Sequence, residues 1–559
     1  MQELLSQIPL WTIAAISLAG AGWLFLMVMM LRQHLHWLQL EDYSPSRLFA
    51  FASKRWQSVV LRAGAFSLPF ALLTLRDCNC GWKIESIAAL VWALGSGYEG
   101  WRLLKQEKSA KKKLVITPRA RRIFIFGIVF SFIGLKAIGL LFPSELFGMA
   151  MIGSMYLSTV LAGVWLTLAV GLLWPQEMLA QRRYIADAKR ILGEVRPLII
   201  GITGSYGKTG TKEILAAMLA DRYNVFRPPG SYNTLMGVTR AIREGLRPYH
   251  EVFVVEMGAY REGSIQKLCD MTHPMHGIIT TIGVQHLERF GSQKAIQRAK
   301  GELIRALPPD GVAVLNGDDP LCREIGEARQ GEVIYFSISD NNSGQNIQKS
   351  EEKYPKWISA SNIQITPTGS TFDINFTDGT KTPVHLALLG RAAIANALAA
   401  AAMGERNGVS KDGIARVLST LPHIRHRLEP RTGEGGITVI DDAFNSNPVG
   451  AAGALEVLAM ATGGRRVLVT PGMIELGEME VSANRTFGVQ AASSCDLAVL
   501  VGVKRVEPIR EGLLSAGFPA ENIWVVATLT EGLERLKGYL KPGDTMLLEN
   551  DLPDQYAGM

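Results

Sequence analysis

The first 175 residues contain five apolar runs of about 20 residues, roughly 10–31, 58–75, 85–104, 123–142 and 146–174. A helix of that length matches the hydrocarbon thickness of a bilayer, and lipid leaves a single chain segment few other ways to satisfy its backbone. The chain is therefore expected to begin with an α-helical membrane region of about five transmembrane helices over 1–175, then a linker over 176–196. The first run is not expected to be a cleavable leader, because it is too long, no basic stretch precedes it and no small-residue cleavage site follows.

Basic residues set the expected orientation. Arg32, Arg47, Lys54 and Arg55 follow the first run, Lys105 to Arg122 holds eight basic residues, and Arg182, Arg183, Lys189 and Arg190 follow the fifth. The intervening loops RDCNCGWK and PSE are short and nearly neutral. The positive-inside rule then puts everything after residue 175 in the cytoplasm and makes the protein multi-pass in the cell membrane. The net charge of +7 is explained by this topology, and no nucleic-acid partner is expected. The five cysteines are scattered, with only Cys78 and Cys80 close together, which implies neither a zinc site nor a disulfide framework.

From residue 197 the pattern changes. Short β-branched runs, PLIIGITG, EVFVVEMG, HGIITTIG and GVAVLNGD, alternate with helical stretches and predict an α/β domain with a mostly parallel sheet over 197–425. A more polar stretch, 337–383, reads as an antiparallel insertion or edge, and turn residues around 421–433 read as a hinge. A second α/β unit over 426–559 has ITVIDDAF, RRVLVTPG, DLAVLVG, NIWVVA and DTMLLEND as strands.

The chemistry begins at GITGSYGKTGT, residues 201–211. Glycines allow backbone N–H groups to turn onto phosphate oxygens, Lys208 adds a cation, and Thr209 can ligate Mg²⁺. A strand before and a helix after the loop add the partial positive charge of a helix N-terminus. The spacing departs from the P-loop pattern G-x-x-x-x-G-K-[ST]: counted from Gly201 the second glycine belongs at Tyr206 and falls at Gly207. Polar residues also end successive strands, where ligands of open α/β sheets bind: Glu256, His286, Asn316, Asp318 and Asp319.

The strings TGSYGKTGT, VVEMGA, TTIGVQHLERFGS, QRAKGEL, LNGDDP, NALAAAA, HRLE and DDAFNSNP occur in this order over about 198–559. Together they resemble the Mur ligase family, ATP-dependent amide ligases of cell-wall assembly, and most closely the branch that adds D-alanyl-D-alanine. The resemblance implies a P-loop ATPase domain followed by a Rossmann-like C-terminal domain. It also implies a carboxylate that attacks ATP to give an acyl phosphate, which an amine then displaces. ATP and Mg²⁺ are the implied cofactors. The implied catalytic residues are Lys208, His286 and Lys300, the last at the position of a lysine that many members carry as a carbamate. Nucleotide contacts fall on Gly204, Ser205, Gly207, Lys208, Thr209, Asn316, Asn396, Arg427 and Asp442, and metal ligation on Thr209, Glu256 and His286. Glu475, in MIELGE, matches a motif of the C-terminal domain.

Three departures are visible. The UDP-sugar-binding N-terminal domain has no counterpart between the fifth run and the loop. Ala392 replaces the histidine of a G-R-H-N string. Glu549, in LLENDLPDQY, replaces the lysine of K-G-S, implying a changed amine or acyl partner. The reading that results is a membrane-embedded amide ligase whose partners are ATP, a carboxylate acceptor and an amino-acid or peptide amine, on a substrate that can be lipid-linked. A poly-γ-glutamate synthetase-like polymer ligase is the alternative within the class, and a silent nucleotide-binding scaffold the alternative outside it. An ATP-driven transporter fits less well, since no Walker B strand ending in paired acids is seen.

Overall fold

The computed structural model describes residues 9–41, 43–54, 60, 82–109, 113–140, 147–284, 287–339, 356–444 and 446–551. The chain divides into two compact units between Ala180 and Gln181.

The first unit is helical: α1 Leu10–Leu40, α2 Pro45–Lys54, α3 Trp82–Ser109, α4 Pro118–Gly139, α5 Phe147–Val160 and the start of α6, Ala162–Val195. Its interior holds Trp23, Met27, Met30, Leu31, Leu35 and Leu166. Polar links join its helices, Trp23 Nε1 donating to Thr159 Oγ1 at 3.0 Å and Arg32 Nε to Glu107 Oε2 at 2.9 Å. Many large apolar side chains face outward, among them Leu10, Leu94, Trp101, Ile133 and Trp174.

The expected count of about five spans is corrected. Among the described residues one helix, α1 with 31 residues, is long and apolar enough to cross a bilayer. The end of α5 with α6 makes a second if that pair, bent by 63°, is one span. The run 85–104 lies on α3 and residues 123–139 of the next run on α4, and both carry charge: Glu99 pairs with Arg102 on α3, and α4 has Arg119, Arg121 and Arg122 in its first turns, just before the run, and Lys136 in its last turn. The run 58–75 lies outside the described residues, except for Val60, and so do Cys78 and Cys80. Residues 176–195 continue α6 without a break, held by Arg190 between Asp187 and Glu194.

The second unit holds two sheets. Among the described residues the first has nine strands in the order β2-β3-β1-β4-β5-β6-β7-β8-β9, with β2 at Val225–Phe226, β5 at Ala313–Asn316 and β6 at Val333–Ser337, parallel through β7 and antiparallel over β7–β8–β9. The run LIIGIT forms β1, Leu198–Thr203, buried almost throughout because layers cover both faces, as expected of a parallel sheet. It is flanked by β3, Val252–Glu256, and β4, His276–Ile279. The polar insertion supplies β7 (Lys356–Thr366), β8 (Gly369–Asn375) and β9 (Lys381–Leu386), which extend the sheet as an antiparallel edge.

The phosphate loop leads into helix Lys208–Leu219, which packs on helix Arg391–Arg406. The run Ala397–Met403 in the latter is fully buried, its alanines letting the two helices approach closely. The second sheet has the order β10-β11-β15-β12-β13-β14, with β10 at Glu429–Thr432, β13 at Leu497–Val501 and β14 at Ile523–Val526. Its final strand β15, Thr545–Glu549, enters the middle between β11 (Thr438–Asp442) and β12 (Arg466–Thr470).

Candidate active site

The loop after β1 is built by close approach. Gly204 has φ +148°, and a Cβ there would overlap Thr280 Oγ1. Gly207, at φ +81°, caps the following helix, and a Cβ there would run into Asn396 Oδ1. Only glycine meets both demands cheaply. Further bonds fasten the loop to the end of β4: Ser205 N donates to Thr281 O at 2.7 Å, Ser205 Oγ to Gly283 O at 3.1 Å, and Thr280 Oγ1 to Tyr206 O.

This loop floors a cleft of about 160 Å³, walled also by Asn233, Glu256, Lys300, Arg427 and Phe444. Lys208 Nζ donates to the loop carbonyls of Gly204 at 2.6 Å and Ser205 at 2.9 Å. Thr209 Oγ1 donates to Glu256 Oε2 at 2.9 Å, and Asn233 Nδ2 donates to the other oxygen, Oε1, at 2.8 Å. A hydroxyl and a carboxylate at a phosphate loop are hard oxygen donors of the kind Mg²⁺ takes, so these residues fit that ion. Among the described residues no cluster of three His, Cys, Asp or Glu competes as a metal site. His286 lies outside the described residues.

Positive charge dominates the cleft. Burial pulls the Lys208 ammonium down to about 8; Glu256 opposes this and Arg427 adds to it. Lys300, 3% exposed, is pushed well below the ordinary lysine range, by burial first and by Lys208 second, against Glu256 and Glu302. Arg427 comes from the C-terminal domain; its Nη1 donates to Phe444 O at 3.1 Å, and its guanidinium lies 4.6 Å from the Phe444 ring centre. Three cations around one acid suit a polyanion.

Other sequence-predicted residues are placed differently. Asn316 donates to Thr280 O at 2.9 Å and accepts from Asp318 N at 2.9 Å, bracing the strand ends. Asn396 accepts from Thr211 Oγ1 at 3.1 Å, behind the loop. Asp442 sits beside Arg427, accepts from Leu428 N at 3.2 Å, and is raised by burial to about 6 while Arg427 opposes. Asp318 and Asp319 clamp backbone, accepting from Ile338 N and Ile282 N. Glu475 pairs with Arg289 at 3.3 Å, tying the C-terminal domain to the central one.

Glu549 is 1% exposed. Its carboxylate accepts from Ser446 Oγ and, at 2.9 Å, from Thr470 Oγ1. The change of sign there is thus internal, where the carboxyl group joins Ser446 to Thr470. Sequence reasoning missed Asn233 and Phe444. Both sit in turn-rich loops, SYNT and AFNSNP, whose composition marks a loop but not which side chain turns inward.

A model described as the Mur ligase middle domain matches residues 202–404, and one described as the Mur ligase glutamate ligase domain matches 426–549. The UDP-N-acetylmuramoyl-tripeptide–D-alanyl-D-alanine ligase of Mycobacterium leprae (strain TN) is 32% identical over 368 residues, covering 63% of this chain and 70% of its own. The crystal structure of MurF from Acinetobacter baumannii aligns with a TM-score of 0.58 at 27% identity, over 68% of this chain and 78% of that one. MurF ligase from Thermotoga maritima in complex with ADP aligns at 0.56 and 23% identity, over 66% and 80%.

Proposed function

The chain belongs to the Mur ligase family of ATP-dependent amide-bond ligases of peptidoglycan biosynthesis, and on that premise we propose that it joins D-alanyl-D-alanine to the carboxylate of a muramyl-tripeptide precursor at the cytoplasmic face of a membrane. The observation that carries this reading is the cleft, where Lys208, Lys300 and Arg427 surround Glu256 and Thr209.

A carboxylate and ATP repel each other, so positioning and charge matter more than a strong nucleophile. Lys208, freed from its loop carbonyls, takes the β- and γ-phosphates together with the loop N–H groups. Thr209 and Glu256 would hold Mg²⁺, which supplies charge neutralisation at the phosphates; His286 is the proposed further ligand. The acceptor oxygen bonds to the γ-phosphorus and the bond to the β–γ bridging oxygen breaks, releasing ADP. The amine nitrogen then bonds to the acyl carbon, the carbon–oxygen bond to phosphate breaks, and the amine gives up a proton as phosphate leaves. Arg427, brought from the C-terminal domain, faces the charge that is transferred, with Asp442 beside it.

Membrane embedding rests on α1 and on the outward apolar side chains of the first unit, with Leu10 85% and Leu94 74% exposed, more apolar surface than a water-facing unit usually carries. The family models begin at residue 202, after this unit, so a lipid carrier for the acceptor is the form that the first 175 residues would meet.

The full chain in detergent or lipid nanodiscs, given ATP, Mg²⁺ and D-alanyl-D-alanine, should release phosphate in step with amide formation. UDP-linked and lipid-linked muramyl-tripeptide form the two arms, and hydroxylamine should trap the acyl phosphate as a hydroxamate. Absence of coupled phosphate release in both arms would overturn the reading.

A further inference from the structure

Lys212 lies one turn after Lys208 on the helix behind the phosphate loop and is fully buried. A buried ammonium is costly unless its donors are matched. Here its Nζ donates to Gly230 O at 2.5 Å and Pro228 O at 3.2 Å and forms an ion pair with Glu213 Oε1 at 3.2 Å. Two of these belong to one short stretch, RPPGSYN. That stretch is also tied from Arg227 Nε to Glu213 Oε2 at 2.7 Å. Directly beyond Gly230, Ser231 and Asn233 enter the cleft wall, and Asn233 holds Glu256.

The strand order places this loop. It follows β2, Val225–Phe226, on the far side of β1 from β5, the strand ending at Asn316. Ser231 and Asn233 from this loop line the cleft together with Lys208 and Lys300, so the β2–β3 side is the wall that a group receiving the phosphoryl unit would meet.

We infer that Lys212 is a positioning residue: it fixes the 228–233 loop as the acceptor-side wall and couples that wall to the helix that holds the phosphates. An apolar residue of equal size would fill the same space and leave the two carbonyls unpaired, so the ammonium serves the loop's conformation and not the helix's packing alone.

Lys212→Met and Lys212→Arg in the full chain test this. In Lys212→Met the KM for UDP-N-acetylmuramoyl-tripeptide should rise at least about tenfold. ATP affinity by equilibrium binding without Mg²⁺, which leaves the Asn233–Glu256 contact out of the readout, should stay within about twofold, since Lys208 and Thr209 are untouched. Amide exchange over 230–234 should speed up about tenfold, and Lys212→Arg should restore part of both effects. Exchange and KM both unchanged, or ATP affinity and acceptor KM weakened by the same factor, would overturn the inference. If Lys212→Met does not fold, Glu213→Gln carries the same test, with a rise in both readouts of about threefold. The KM change rests on the acceptor proposed above, whereas the exchange change does not. An inactive wild type would therefore sink the substrate reading and leave the Lys212 loop to be judged by exchange.

Discussion

The Thr209 hydroxyl donates to a carboxylate oxygen of Glu256 at 2.9 Å, joining the first turn of the phosphate-loop helix to the end of β3. The pair brings two oxygens from distant parts of the chain to one place, with Asn233 holding the second Glu256 oxygen so that the carboxylate cannot rotate away.

Glu256→Gln should therefore raise the Mg²⁺ concentration for half-maximal phosphate release by about tenfold or more. The amide keeps the volume and one acceptor but loses the charge. An unchanged Mg²⁺ titration would remove Glu256 from the metal site.

The second prediction concerns pH. Lys208 has its ammonium pulled down to about 8, chiefly by burial. The charged form meets the phosphates, so kcat/KM for ATP should be flat below this value and fall as pH rises through it. Lys208→Arg should move that limb beyond the accessible range, and Lys208→Ala should cost at least about 10²-fold in kcat. A pH–rate profile that stays level to pH 9.5 would contradict the assignment.

Burial and Lys208 hold the Lys300 amine well below its usual range, with Glu256 and Glu302 opposing. A neutral amine is the form that adds carbon dioxide. If the carbamate implied by the family forms here, ¹³C-bicarbonate should give a carbamate resonance that Lys300→Ala abolishes, and carbon-dioxide-free buffer should slow turnover reversibly. Full activity without carbon dioxide would leave Lys300 as a direct phosphate contact.

Arg427→Ala should lower kcat/KM for ATP by roughly 10- to 100-fold, the worth of a charge-assisted bond, while the melting temperature changes little. Its guanidinium meets Phe444 of the C-terminal domain, with Asp442 beside it. A large stability loss with normal kinetics would instead make it a packing residue.

Glu549 yields a stability prediction. Burial raises its carboxyl to about 7, and the hydroxyls of Ser446 and Thr470 only partly oppose that. The fold thus favours the neutral form. That contribution is complete below the ordinary carboxyl range and is lost as pH rises through about 7, a difference of about 3 kcal/mol. Glu549→Gln, neutral throughout, should melt above wild type at pH 8 and with it near pH 4.5. The reverse order would show that the carboxylate is better solvated than its burial implies.

Much of the site could be read from residue order because phosphate binding is local chemistry. A strand, two glycines, a lysine and a threonine must be contiguous to present N–H groups, a cation and a hydroxyl to one anion, and residues 201–209 hold them. Glu256 was legible for a related reason, since ligands of open parallel sheets gather at strand ends. Asn316, Asp318 and Asp319 also end a strand, yet they brace backbone. Their roles depend on which neighbouring strand lies within reach, and local pattern does not record that.

The sequence by itself determined the class of chemistry and the α/β order of elements, because side-chain periodicity and contiguous motifs report local backbone geometry. Only the tertiary structure decided that β15 lies mid-sheet, placing Glu549 beneath Ser446 and away from solvent, and that Lys212 turns inward to the Pro228 and Gly230 carbonyls. Burial, pairing and charge compensation are set by neighbours distant in sequence, and those neighbours exist only once the strand and helix order is formed.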